Sequence, residues 1–470
     1  MKIVHCLDHY MPLHMAGTEL YVHTLASSQK RGGNEVAVLI PHFEYYQPGV
    51  FAGQYVYGGI DVYQYMEPSD PREKGFTAGR KAPDGLANFE AALRALRPDV
   101  VHFHELTRSI GLGVPHVKLA KRLGAKVILT MHLPTYTCNA TTLVRNDRIC
   151  SGEIREFDCS VCCQKTRYHF PPAVSWPIVG IGWLAARTGI LSRLPEGKAT
   201  TVLSFPATIR RIKAELVELA ATVDRIVPLT AWYKKILVEN GVPENKITVI
   251  PQALASAEAS GPQAATAGAQ PTAAGTSSAA PSALAASSAP EPPATVIPPL
   301  KIVYVGRIFP IKGVHLLIEA VKGYTRDQVI VDIFGKEEDT DYCRDCKRLA
   351  EKAESIQFRG QIQREKVLPT LPGYHLLCVP STCAEMSPLV IQEAFAAGIP
   401  ALVSDVYGNV EQVKHEVNGL VFDFNSAASL RTQIQRLIDN PHLVARLRQN
   451  VRPPGDFNAI DKAYWQLYTN

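Results

Sequence analysis

Short, mostly apolar runs recur along the chain, separated by stretches with helical periodicity. In the first half the runs are residues 2–7, 35–41, 100–103, 126–131, 225–228 and 247–250. A run that is apolar at nearly every position, not every second one, predicts a strand covered on both faces. Residues 55–66 predict a hairpin about Gly58-Gly59. Helical patterns fall between the runs, at 18–30, 88–96, 114–123 and 207–222. The second half repeats the scheme more cleanly, with strands expected at 301–305, 329–334, 356–358, 376–379, 401–404 and 421–422. Such alternation predicts an α/β protein with two Rossmann-like, doubly wound domains. A last helical pattern at 458–468 places Ile460, Tyr464, Leu467 and Tyr468 on one face.

The halves are divided by residues 253–299, rich in Ala, Ser, Pro, Thr and Gly, with Glu258 and Glu291 as the only charges. This segment has too little apolar surface to offset its ordering entropy. It reads as a disordered linker, with scattered helical turns as the alternative. The chain is thus divided into 1–252, the linker, 300–450, and a terminal segment at 451–470. At 470 residues, 46% hydrophobic and 20% charged, the chain has the composition of a soluble protein with two domains. The net charge of +5 comes without an Arg/Lys run interleaved with aromatics, which argues against nucleic acid as a partner. The opening residues read as a strand and not as a secretory leader. The expected location is cytoplasmic, with reduced thiols.

The chemistry is densest at residues 381–400. Glu385 and Glu393 stand eight positions apart, around Met386, Ser387, Pro388 and Leu389. Ser387 is a suitable N-cap and Pro388 a suitable first helical residue. Free N–H groups of that first turn would face an anion. Glu393 then lies roughly 9 Å along the axis from Ser387. Carboxylates at both ends of a phosphate-sized positive site suit a diphosphate flanked by hydroxyls, as in a sugar nucleotide. Upstream, Gly306 to Gly313 follow a predicted strand and include Arg307 and Lys312. These two cations can stabilise a departing diphosphate.

This pattern resembles the Glu-x7-Glu motif of retaining glycosyltransferases of family 4, which have the GT-B fold. The run from Glu393 to Pro400 matches the family's Glu-Ala-x-Ala-x-Gly-x-Pro. The resemblance implies that Glu385 lies by the donor sugar, that Glu393 binds ribose hydroxyls, and that Arg307 and Lys312 hold the diphosphate. It also implies a final helix that crosses back to the first domain. Gly408, Glu411 and Asn418-Gly419 match further family positions, and Asn418-Gly419 is also a plain turn. Asp339-Thr340-Asp341 has metal-site spacing but reads as a helix N-terminal charge cluster, so no metal is expected in catalysis.

On the acceptor side, Ala16-Gly17 stands where the family usually has two glycines, which leaves Gly17 for close approach to the donor. His132, and also His102 and His104, sit at strand ends, where doubly wound sheets place ligands. Each is either functional or a satisfied structural histidine. Residues 133–195 break the pattern as an insert. Cys138, Cys150, Cys159 and Cys162 there have the makings of a structural zinc site, the alternative being unpaired thiols. Cys343 and Cys346 share the spacing but lie in a helical pattern without a partner pair. Residues 170–186 are apolar, flanked by Lys165, Arg167, Arg187 and Arg193, and too short and Pro-interrupted to span a bilayer. They lie on a membrane surface or pack on the first domain.

With the resemblance, which implies retention of configuration, these features predict a metal-independent, retaining transferase. It would move sugar from a nucleotide-diphosphate sugar to a saccharide or lipid-linked acceptor, and be cytoplasmic or peripheral on the inner membrane face. The alternatives are a catalytically silent GT-B scaffold, or a sugar-nucleotide epimerase.

Overall fold

The structure is a computed structural model that describes residues 1–45, 53–70, 82–108, 111–192, 197–254, 299–338 and 340–470. Nearly all of the expected linker lies outside these residues, as does Asp339. Two mainly parallel sheets organise the chain. The first contains β1 (Lys2–Cys6), β2 (Glu35–Phe43), β3 (Gln54–Tyr57), β4 (Ile60–Glu67), β5 (Val100–His104), β6 (Lys126–Met131) and, after a small hairpin of β7 (Val144–Arg145) and β8 (Arg148–Ile149), β9 (Arg225–Pro228). The second contains β10 (Leu300–Val305), β11 (Val329–Phe334), β12 (Ile356–Gly360), β13 (Leu376–Val379), β14 (Ala401–Ser404) and β15 (Gly419–Phe422).

Strand order is β3-β4-β2-β1-β5-β6-β9 in the first sheet and β12-β11-β10-β13-β14-β15 in the second. Apart from the β3–β4 hairpin, every pair within these sheets is parallel. In each sheet the order reverses at the first strand, between β1 and β5 and between β10 and β13. This is the doubly wound arrangement, whose ligand crevice opens at the strand C-termini beside the reversal. Residues 247–250 were expected to be a strand. They run beside β9 without forming a full ladder: Ile247 bridges Ile226, and the N–H groups of Thr248 and Ile250 donate to the Ile226 and Pro228 carbonyls at 3.0 and 3.3 Å.

The helix Phe457–Thr469 packs on the first sheet, not the second. Phe457, Ile460, Tyr464 and Tyr468 join Ile3, Val100 and Ile128 in one buried cluster. Tyr464 Oη accepts from Tyr21 Oη at 2.9 Å, and Ser28 Oγ donates to Asp461 at 2.6 Å. The halves also meet elsewhere. The helix Ala231–Glu239 has no cap from its own Thr230 side chain. Glu411 supplies one from the other half, accepting from the N–H groups of Ala231 (2.9 Å) and Trp232 (3.1 Å). Beside it Trp232 and Tyr407 stack with ring centroids 4.9 Å apart. Gln392 Nε2 donates to the Gln252 carbonyl at 2.8 Å.

Tyr468 joins the buried network to the last helix through bonds to His102 Nδ1 (2.7 Å) and Gln29 Nε2 (3.2 Å). Tyr468→Phe should therefore cost about 1–3 kcal/mol, since it leaves buried polar atoms without partners. Denaturant unfolding of the variant against the parent measures this.

Candidate functional site

The loops after β10 and β13 straddle the reversal point of the second sheet. The first begins at Gly306 and passes through a short 3-10 turn, Pro310–Lys312, before the helix Val314–Val321. At Gly313 φ is +68°, and a Cβ there would stand 1.8 Å from the Pro380 carbonyl oxygen, so only glycine lets the two loops pack this closely. That contact brings Lys312 to Glu385. Lys312 Nζ lies 2.6 Å from Glu385 Oε1, which also accepts from Ser381 Oγ at 2.6 Å. Both members of the pair are largely buried yet reach the surface. Arg307 is exposed beside them, its guanidinium 5.7 Å from the Phe309 ring centre. Burial pushes the neighbouring Cys383 thiol up to about 12; Glu385 adds to this, while Lys312 and Arg307 oppose it.

The following helix is Leu389–Ala396, with Pro388 as its cap residue. It starts one residue later than Ser387 and Pro388 suggested, because Pro388 has ψ of 115°, outside the helical region. Ser387 accepts from Gln392 Nε2 at 3.4 Å and caps no backbone N–H. Glu393 is inside the helix, with a side chain only 5% exposed, and forms an ion pair with Arg364. Met386 is buried with Ala384 against the core of the first half. Gly408 lies under this loop; a Cβ there would be 1.9 Å from the Glu385 carbonyl oxygen.

Across the cleft, Gly17 opens the helix Gly17–Arg31 with nothing within 4 Å of the position of a Cβ. The loop before it is pinned by Glu19, which accepts from the Ala16 N–H at 2.9 Å and pairs with His14 at 3.0 Å. His132 follows β6, only 6% exposed, with Tyr21 edge-on against its ring. The other histidines form a wire behind it. With its amide oxygen toward His5, Gln29 accepts from His5 Nε2 at 2.8 Å. His5 Nδ1 then accepts from His104 Nε2 at 2.9 Å, and His104 Nδ1 from His132 Nε2 at 3.4 Å. Burial lowers the pKa of His5 to about 4 and of His132 to about 3, and holds His104 well below its ordinary value, so the wire is neutral near pH 7. One direction of donation follows, and it leaves His132 with a bare Nδ1 lone pair. His102 belongs to the same network, between Tyr468 and Thr130.

His5, His102 and His104 bring their ring nitrogens within 4.8 Å of one another. All six nitrogens are already hydrogen bonded. The trio is therefore a poor metal site. Glu105, beside His132, has φ of +66°, and its Oε2 accepts from the N–H groups of His132 (2.7 Å) and Leu133 (2.8 Å). Sequence reasoning gave no role to Glu19, Glu105, Ser381 or Arg364. A glutamate at the third position of a helix is a legible capping signal, which marks Glu19; the others emerge only from packing.

In the insert, Cys138, Cys150, Cys159 and Cys162 line one cavity. The apolar stretch is the helix Pro172–Thr188, with Pro177 inside it. Ser175, Val179 and Gly182 face the protein, while Trp176, Ile181, Trp183 and Leu184 are exposed. Among the described residues no helix is long and apolar enough to cross a membrane. Thr340 caps the helix Asp341–Ala350 by accepting from the Cys343 N–H at 3.2 Å, and Cys343 and Cys346 are buried in the core of the second half.

Residues 16–253 match the model of a glycosyl transferase 4-like domain, and residues 292–453 that of glycosyl transferases group 1. The chain belongs to the family 4 type of glycosyltransferases. A putative glycosyltransferase of Bacillus subtilis (strain 168), YtcC, is 32% identical over 165 residues, 32% of this glycosyltransferase and 39% of that relative. An uncharacterized glycosyltransferase of Methanocaldococcus jannaschii is 34% identical over 173 residues, 36% of this chain and 44% of that one. The matches thus span less than half the length of these relatives. Among solved structures, sucrose-phosphate synthase from Thermosynechococcus elongatus superposes with a TM-score of 0.60 at 17% identity, covering 100% of this chain and 98% of that one. Anabaena HepE in complex with UDP and glucose gives 0.58 at 12% identity, covering 100% and 99%. These likenesses establish the GT-B fold of this chain.

Burial raises the Glu105 carboxyl from 4.5 to about 7 against its hydrogen bonds. Its folded pKa is above the unfolded one, so stability falls as pH rises between these values, by on the order of 3 kcal/mol. Glu105→Gln should flatten that fall. Asp8, raised by burial to about 6, leaves a residual slope. Denaturation midpoints at pH 5 and pH 8 test this.

Proposed function

We propose that this glycosyltransferase is a retaining, metal-independent enzyme that takes sugar from a nucleotide-diphosphate sugar. The observation that carries this reading is the Lys312–Glu385 pair, held by Ser381 at the reversal point of the second sheet with Arg307 alongside. In the proposed mechanism Arg307 and Lys312 take the charge of the departing diphosphate, aided by the N–H groups at the start of the helix that follows Pro388. Glu385 is released from Lys312 as phosphate replaces it, and turns to the donor sugar. Glu393 accepts from the ribose hydroxyls, its carboxylate oriented by Arg364. Gly17 leaves room for the donor, and the bare Nδ1 of His132 accepts from a sugar hydroxyl near the reacting carbon. The leaving phosphate takes the acceptor proton, so the carbon keeps its configuration without a protein nucleophile.

The acceptor we favour is a saccharide or a lipid-linked saccharide, in polysaccharide or glycolipid assembly. Trp176, Ile181, Trp183 and Leu184 would rest at a membrane surface, with Arg187 over the Trp183 ring, 3.3 Å from its centre, reaching toward headgroups.

A thermal-shift panel of UDP, GDP, ADP and dTDP should give one clear responder; saturation at 100 times Kd adds about 2.7 kcal/mol. With that donor, Lys312→Ala should lower kcat/KM by about 10²–10³. Glu393→Gln, which keeps a hydrogen bond toward Arg364, should weaken nucleotide binding by about 1.5–3 kcal/mol. Proton NMR of the product should show the donor's anomeric configuration, and EDTA should leave the rate unchanged. Inverted product sinks the retaining mechanism. Activity retained in Lys312→Ala sinks the site, and product formed without acceptor favours the epimerase.

A further inference from the structure

Four thiols of the insert line one cavity although they come from three separate pieces of backbone. Cys138 lies in a turn after β6, Cys150 directly follows the β7–β8 hairpin, and Cys159 and Cys162 stand three residues apart on the helix Glu156–Tyr168. That spacing puts the last two on one helix face. All four line a single cavity of about 120 Å³, and none forms a disulfide. Cys159 and Cys162 each lie within electrostatic reach of Cys138 and Cys150. The loop that carries the first two is unusually constrained. Thr141, Leu143, Asn146 and Asp147 all have φ between 50° and 58°. Asn146 and Asp147 are explained by the tight hairpin turn. Thr141 and Leu143 are not, and such backbone persists only where its surroundings fix it.

We propose that Cys138, Cys150, Cys159 and Cys162 hold a structural zinc ion. Four thiolates suit Zn²⁺ in a closed tetrahedral site, and supplying them releases the thiol protons. The thiols ring the cavity more widely than one coordination sphere, so binding the ion requires the cysteine side chains to turn inward to other staggered rotamers. Cys163 also lines the cavity but is the more deeply buried thiol, its sulfur accepting from Asn139 Nδ2 at 3.4 Å, whereas Cys159 and Cys162 make only weak contacts to the Glu153 and Val144 carbonyls. The site has a consequence across the cleft. The Thr142 carbonyl, between the two strained residues, accepts from the Ala384 N–H at 2.9 Å, immediately before Glu385. A metal that fixes this loop braces the proposed donor loop from the opposite half. The metal assignment itself does not depend on the proposed reaction.

The test uses the full chain, purified under reducing conditions with zinc in the medium. Elemental analysis should find one zinc per chain, and replacement by Co²⁺ should give the intense thiolate-to-cobalt absorption of a tetrahedral sulfur site. Cys159→Ala/Cys162→Ala should lose both signals, whereas Cys163→Ala should keep them. Circular dichroism checks that the variants are folded, and the cobalt titration of the parent needs no variant. A folded parent with well under one zinc and no cobalt band overturns the proposal. So does a parent in which these cysteines are found as disulfides, or a Cys163→Ala variant that loses the metal as fully as the double variant.

Discussion

A parallel sheet covered on both faces offers its interior polar groups no water, so each must find a partner inside the protein. In the first half that constraint is met by a chain of neutral side chains whose direction is set at one end. The Gln29 amide has two different faces, an acceptor toward His5 and a donor toward Tyr468. Because burial keeps each histidine uncharged, each can donate through only one nitrogen, and the choice made at Gln29 runs through His5 and His104 to His132. With its oxygen accepting from Gln29, Tyr468 is free to donate to His102 Nδ1, the arrangement in which His102 Nε2 donates to Thr130. The protonation pattern beside the cleft is thus decided more than one layer away from it.

The second half meets the constraint differently. Its buried carboxylates are met by cations: Glu393 by Arg364, Glu385 by Lys312, and Asp332 by Arg359 at 2.9 Å. Direct ion pairs of this kind give way when a stronger anion or a new hydrogen-bond donor arrives. The histidine wire has no such freedom. One side of the cleft is a fixed template and the other an exchangeable set of charges.

Much of this was readable in the sequence because the strands are apolar at nearly every position, and that pattern survives any tertiary context. Strands 126–131, 225–228, 329–334, 376–379 and 401–404 have the bounds the pattern predicts. Residues 247–250 have the same composition but meet β9 through one bridge and two N–H donations, short of a ladder, and a strand is made by pairing, not by composition. The start of the helix at Leu389 was misplaced because Pro388 fixes φ but leaves ψ free. The two loops of the proposed donor site stood out because their residue types are close in sequence. The histidine wire did not: His5 meets His102 through strand register and bonds to His104, 99 positions away, while His104 lies opposite Thr130 on the next strand, contacts set by the fold. Histidines inside otherwise apolar strands were the one available sign of it.

The return of the helix Phe457–Thr469 to the first sheet also has a consequence for synthesis. Tyr464 and Tyr468 close a surface whose other side is built from β1, β5 and β6. Those strands leave the ribosome hundreds of residues before the helix that covers them. Throughout translation of the second half, the first sheet carries an uncovered apolar face with histidine, threonine and glutamine groups lacking their final partners. The nascent first half is therefore a natural client for chaperones until its cover arrives, and the second half must be folded enough by then to deliver it.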